Sequence, residues 1–68
     1  MKTIELQVTG MSCGHCVSSI ENGVGSKEGV DSVNVDLEKG LVTISFDTSQ
    51  VQEADLKDTV EDLGYDVA

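Results

Sequence analysis

The chain has 68 residues and a net charge of −9, with thirteen acidic side chains against four lysines and with Phe46 and Tyr65 as its only aromatics. That length supports one small core and no second, so residues 1–68 are expected to form a single domain. The charge argues against nucleic acid or an anionic membrane as partner, because both ask for clustered Lys and Arg. The acidity reads either as solubility or as steering toward a basic patch on a protein partner.

Lys2 to Thr9 places Ile4, Leu6 and Val8 on one face, which is the period of a half-buried strand. This opening segment never builds a continuous apolar run, so no export signal or membrane span is read and the expected address is cytoplasmic. Gly10 ends the strand and permits an unusual backbone turn. A loop through Met11, Ser12, Cys13, Gly14 and His15 leads into a helix from Cys16, where Val17, Ile20 and Val24 form one apolar stripe. Gly23 and Gly25 each weaken the last turn by about 1 kcal/mol relative to Ala, so the helix is expected to fray there.

Residues 25–29 (GSKEG) read as a loop. Val33, Val35 and Leu37 alternate next, and Glu38-Lys39-Gly40 makes a turn with Gly40 available for positive φ. Val42, Ile44 and Phe46 alternate on the far side, so the two runs pair as an antiparallel hairpin. From about Gln52 a second helix carries Leu56, Val60 and Leu63, with Val51 and Ala54 near its start. Gly64 suits the left-handed residue after a helix end, and Tyr65 to Val67 leaves space for one short strand. The order is β-α-β-β-α-β. It predicts an α+β, ferredoxin-like sandwich: a four-stranded antiparallel sheet with two helices on one face.

The stretch from Gly10 to Cys16 holds both cysteines and the only histidine. Cys13 falls in the loop and Cys16 in the first turn of the helix, where unpaired N–H groups and the positive dipole end stabilise thiolates. Gly14 removes side-chain bulk between them. Two thiolates are too few for structural zinc, which takes four ligands and usually a second Cys/His pair. They suffice for soft, monovalent copper, and Cu(I) is favoured on ligand count and softness. A disulfide is disfavoured in a reducing cytosol. The bland reading, two buried and inert cysteines, fits a loop and helix start poorly. His15 diverges from Cys13 and Cys16 in the turn. It reads as solvent-facing, or as a supplementary ligand when two molecules share copper.

Gly-Met-Ser-Cys-Gly-His-Cys after a first strand, Gly29-Val30 before the second, Phe46-Asp47 after the third and Leu63-Gly64-Tyr65 before the last resemble the heavy-metal-associated domain family, in its bacterial CopZ-type copper-chaperone branch. The resemblance spans the whole chain. It implies Cu(I) held by Cys13 and Cys16, no enzymatic activity, and handover to the metal-binding domain of a copper-transporting P-type ATPase or to a copper-responsive repressor. It also implies a monomer without metal and a copper-bridged homodimer as an alternative loaded form. Met11 matches a methionine that packs under the loop rather than ligating, and Tyr65 matches a tyrosine placed near the metal loop. Lys27 departs from the pattern, standing where the family has an apolar residue. Its stem is expected to cover the core edge while the ammonium stays wet. The first helix also lacks lysines.

Two other readings compete. Cys-Gly-His-Cys also resembles the active site of protein disulfide isomerases, which would make the chain a thiol–disulfide oxidoreductase. That family has Trp and Pro before the first cysteine and a proline facing the disulfide, and this chain has neither residue type. The nearer rival is the same fold serving another soft ion.

Overall fold

A computed structural model describes residues 1–10 and 14–68 of the chain. Its elements run β1 (Lys2–Thr9), α1 (Gly14–Gly25), β2 (Val30–Asp36), β3 (Leu41–Phe46), α2 (Glu53–Asp62) and β4 (Asp66–Val67). The strands form one sheet in the order β2-β3-β1-β4, with every neighbouring pair antiparallel. This is the ferredoxin-like arrangement expected from the hydrophobic periods.

The alternation in β1 translates directly into burial: Ile4, Leu6 and Val8 face the helices, while Thr3, Glu5, Gln7 and Thr9 are exposed on the open face. Val42, Ile44 and Phe46 of β3 lie beside them, paired through Ile4↔Ile44 and Leu6↔Val42. Ile20 and Val24 of α1 and Leu56 and Val60 of α2 close the core from above, all at 0 % exposure. Each such side chain contributes about 1.5–3 kcal/mol on burial, so these few residues carry most of the fold. On the open face the hydroxyls of Thr3 and Ser45 meet across the β1–β3 rung at 2.9 Å.

The edge strand β2 carries a register shift between Val30 and Ser32, which sets Asp31 out of step with β3. A bulge and an acidic residue on an edge discourage pairing with another chain. At the start of α2, the Gln52 N–H donates to Asp55 Oδ2 at 3.2 Å, and Glu53 and Asp55 sit favourably at the positive dipole end.

Three expectations change in the structure. Leu37 does not extend β2: it lies in the turn and is 38 % exposed. The reason is local, since Asp36 Oδ1 accepts the Lys39 N–H at 3.2 Å and begins the turn one residue early. Second, α1 continues through both glycines to Gly25. A Cβ on Gly23 would lie 2.8 Å from Leu63 Cδ1, so this glycine admits the close approach of the two helices. Third, Leu63 follows α2 as its C-cap and is 38 % exposed, packing on Gly23 rather than entering the core. Lys27 is half-buried, and its carbonyl accepts the Val30 N–H that opens β2. No helix among the described residues is long and apolar enough to cross a membrane.

Candidate metal centre

Two segments converge on the end of β1. At Gly10 the chain leaves the strand with φ of +95°, a conformation that glycine adopts without steric cost. Cys13 and Met11, the first expected ligand and the packing methionine, lie outside the described residues. The chain re-enters as α1 at Gly14, which places His15 and Cys16 in the first helical turn. His15 is exposed and Cys16 half-buried. The first-turn N–H groups have no partner within the helix, and the dipole there favours negative charge, so a Cys16 thiolate sits in a supportive field. Glu and Asp are absent from that first turn, so no carboxylate of the turn itself opposes the field.

Tyr65 reaches the same place from the other end of the chain. Helix α2 terminates with the Gly64 N–H donating to Glu61 O at 2.9 Å and the Tyr65 N–H to Val60 O at 3.4 Å, with Gly64 at φ +100°. This pair of reversed bonds is the glycine-dependent C-terminal motif anticipated at Gly64. The chain then turns directly into β4, whose Asp66 and Val67 pair with Thr9 and Val8. Tyr65 is thereby delivered beside Gly10: a Cβ built on Gly10 would touch Tyr65 Cδ1 at 3.7 Å. The ring is half-buried against the core and flanks the point where the cysteine loop departs.

One supporting group was not evident in the sequence. Gln7 Nε2 donates to Lys39 O at 2.9 Å and to Gly40 O at 3.2 Å, and the Val8 N–H donates to Gly40 O at 2.7 Å. On the opposite edge, the Ala68 N–H donates to Gln7 O at 2.7 Å. The β2–β3 turn and β4 therefore brace the last residues of β1 from both sides. Nothing in an exposed strand glutamine signals this, because its partner lies 33 residues away. Among the described residues no group of three or more His, Cys, Asp and Glu side chains gathers in a metal-binding arrangement.

A ferredoxin-like sandwich with a Cys-x-x-Cys segment leading from β1 into α1 defines a class of small thiol-bearing domains. Residues 5–66 match the family model described as "Heavy-metal-associated domain", and the chain belongs to that family. It is 52 % identical over 68 residues to "Copper chaperone CopZ" of Bacillus subtilis (strain 168), covering 100 % of this chain and 99 % of that one. Among solved structures it resembles "CopZ metallochaperone", with a TM-score of 0.96 at 45 % identity, over 98 % of this chain and 100 % of the other. A copper binding domain from HMA7, a P-type ATPase, superposes with a TM-score of 0.96 at 34 % identity, covering 100 % of this chain and 92 % of that one. The family moves metal and performs no catalysis, so the oxidoreductase reading is dropped.

Proposed function

We propose that residues 1–68 form one heavy-metal-associated domain acting as a cytoplasmic Cu(I) chaperone, with copper as its cargo. Cys13 and Cys16 are the proposed ligands. The observation that carries the reading is the placement of Cys16 in the first turn of α1, directly behind the Gly10 turn and within a family whose relatives include named copper chaperones. A thiolate pair at a helix start suits a soft monovalent ion, and its low coordination number leaves the ion open to attack.

Transfer then proceeds by ligand exchange. A partner cysteine attacks the two-coordinate ion and displaces one chaperone thiolate through a three-coordinate bridge, a second partner cysteine displaces the other, and copper crosses without release into solution. The proposed recipient is the metal-binding domain of a copper-transporting P-type ATPase, and the likeness of fold to a copper binding domain from a P-type ATPase supports it. A copper-responsive repressor is the second proposed recipient. In this reading Tyr65 shields the base of the cysteine segment, Met11 takes a supporting rather than a ligating role, and the exposed His15 becomes a supplementary ligand when two copies share copper.

Anaerobic Cu(I) titration against a chromogenic competitor tests the ligand set. Cys13→Ser and Cys16→Ser should each lose tight retention while keeping the native circular-dichroism spectrum. Unchanged retention by Cys16→Ser would overturn the two-thiolate centre.

A further inference from the structure

The last turn of α1 contains the dipeptide Asn22–Gly23. Asparagine followed by glycine is the pair most open to attack by the following backbone nitrogen on the side-chain amide, because glycine has no Cβ to obstruct the approach. A helical backbone keeps that nitrogen turned toward the preceding turn, so the reaction needs the helix end to open. Three observations make this end an opening point. Asn22 is exposed. The turn contains Gly23 and Gly25 and has no basic residue to favour its carbonyl end. The two residues that follow the helix close it: Ser26 donates its N–H to Asn22 O at 3.1 Å and its hydroxyl to Gly23 O at 3.1 Å, and the Lys27 N–H donates to Val24 O at 3.1 Å.

Two side chains hold the turn shut. Val24 is fully buried, and Leu63 packs directly on Gly23, where a Cβ would come within 2.8 Å of Leu63 Cδ1. We propose that Asn22–Gly23 is a self-modification site whose reaction is gated by the seating of Leu63 on Gly23. When the turn opens, the Gly23 nitrogen bonds to Asn22 Cγ, the Cγ–amide bond breaks and ammonia leaves, giving a succinimide. Water then adds to one of the two ring carbonyls and breaks its bond to nitrogen, yielding aspartate or isoaspartate.

Either product loosens the helix end that the reaction required to open. Aspartate puts a carboxylate at the negative end of the dipole, and isoaspartate routes the backbone through an extra carbon that no longer fits 3.6 residues per turn. Local opening free energy sets the rate, so the folded chain should react roughly tenfold or more slowly than the urea-unfolded chain.

The test is incubation of the full chain at mildly alkaline pH, with peptide mapping by mass spectrometry. Aspartate and isoaspartate should accumulate at Asn22, while Asn34, which precedes the β-branched Val35 in β2, keeps its amide. Leu63→Ala should speed conversion several-fold without changing the rate in urea. An Asn22 that stays amide while the unfolded chain converts fully overturns the proposal. So does a folded chain as fast as the unfolded one, or a Leu63→Ala rate equal to that of the parent.

Discussion

The ring of Tyr65 lies against Gly10, with Cδ1 at 3.7 Å from the position a Gly10 Cβ would take, although the two residues are separated by almost the whole chain. The contact joins the two ends of the fold at the root of the cysteine loop. It depends on two left-handed glycines: Gly10 at φ +95° and Gly64 at φ +100°.

The glycines of this end should therefore respond differently to a methyl group. At Gly10 an alanine meets only ordinary van der Waals contact with Tyr65, so the cost is the left-handed backbone, about 1–2 kcal/mol. At Gly40 the Cβ would also stand 2.8 Å from Val8 O, a backbone atom held in the sheet, and φ is +66°. Gly40→Ala should accordingly lose more, roughly 2–4 kcal/mol, by adding a clash to the same backbone strain. Thermal unfolding checks the order: Gly40→Ala should melt well below Gly10→Ala, which falls roughly 4–8 °C per kcal/mol lost in a domain this small. Equal losses would show that the β2–β3 turn yields freely.

Lys27 offers a gain. It is half-buried at the α1–β2 junction, in a position where an aliphatic side chain would bury more apolar surface. Lys27→Leu should raise stability by about 1 kcal/mol, read as a higher urea midpoint with an unchanged slope. Copper retention should not move. A lower midpoint would mean that the lysine stem already fills its site better than leucine can.

Most of the fold is legible in the chain because its signals are short-range. The alternation of Ile4, Leu6 and Val8 marks β1 to the residue, and Gly64 marks the end of α2. The same periodicity misleads at Leu37, since alternation says nothing about where Asp36 captures the Lys39 N–H and bends the strand away. Gly23 misleads for a related reason: its weakness as a helix former is local, whereas its use, admitting Leu63, is a contact across the fold. At the candidate centre the place of Cys16 in a helical first turn follows from the sequence. The resemblance places Tyr65 near the loop, but its contact with Gly10 itself comes from the two-residue register of β4, and the bracing by Gln7 follows from no local pattern at all.

Acid should weaken the opposite end first. Asp47 follows β3, and its carboxylate accepts the Ser49 hydroxyl at 2.7 Å, the Ser49 N–H at 3.0 Å and Gln50 Nε2 at 3.2 Å. The Ser49 bonds are the main cause that holds its pKa below the ordinary carboxylate value. A pKa lowered by folding adds stability that is complete above the unfolded-state value and fades as pH falls through the folded one. Asp47→Asn should therefore lower the melting temperature at neutral pH, and the gap from the parent should close as pH drops below the ordinary carboxylate range. A gap that persists in acid would mean the loop depends on shape rather than charge.

The acidity also bears on the proposed handover. Glu61 and Asp62 end α2 with no basic residue in its last turn, against the negative end of the helix dipole. That placement costs about 0.3–1 kcal/mol per carboxylate at low salt, which solubility alone does not require. Asp66 follows in β4, one residue after Tyr65 and paired with Thr9, which adds a carboxylate beside the end of β1. If this field guides the chaperone to a basic patch on the recipient domain, association should slow roughly tenfold between low and physiological ionic strength. The paired substitution Glu61→Gln with Asp62→Asn should flatten that salt dependence and leave the dissociation rate nearly unchanged, because exposed rim charges act mainly on encounter. Stopped-flow measurement of transfer from the copper-loaded chain across a salt series reads both quantities. An on-rate indifferent to salt would assign the thirteen acidic side chains to solubility and leave recognition to the surface around Cys16.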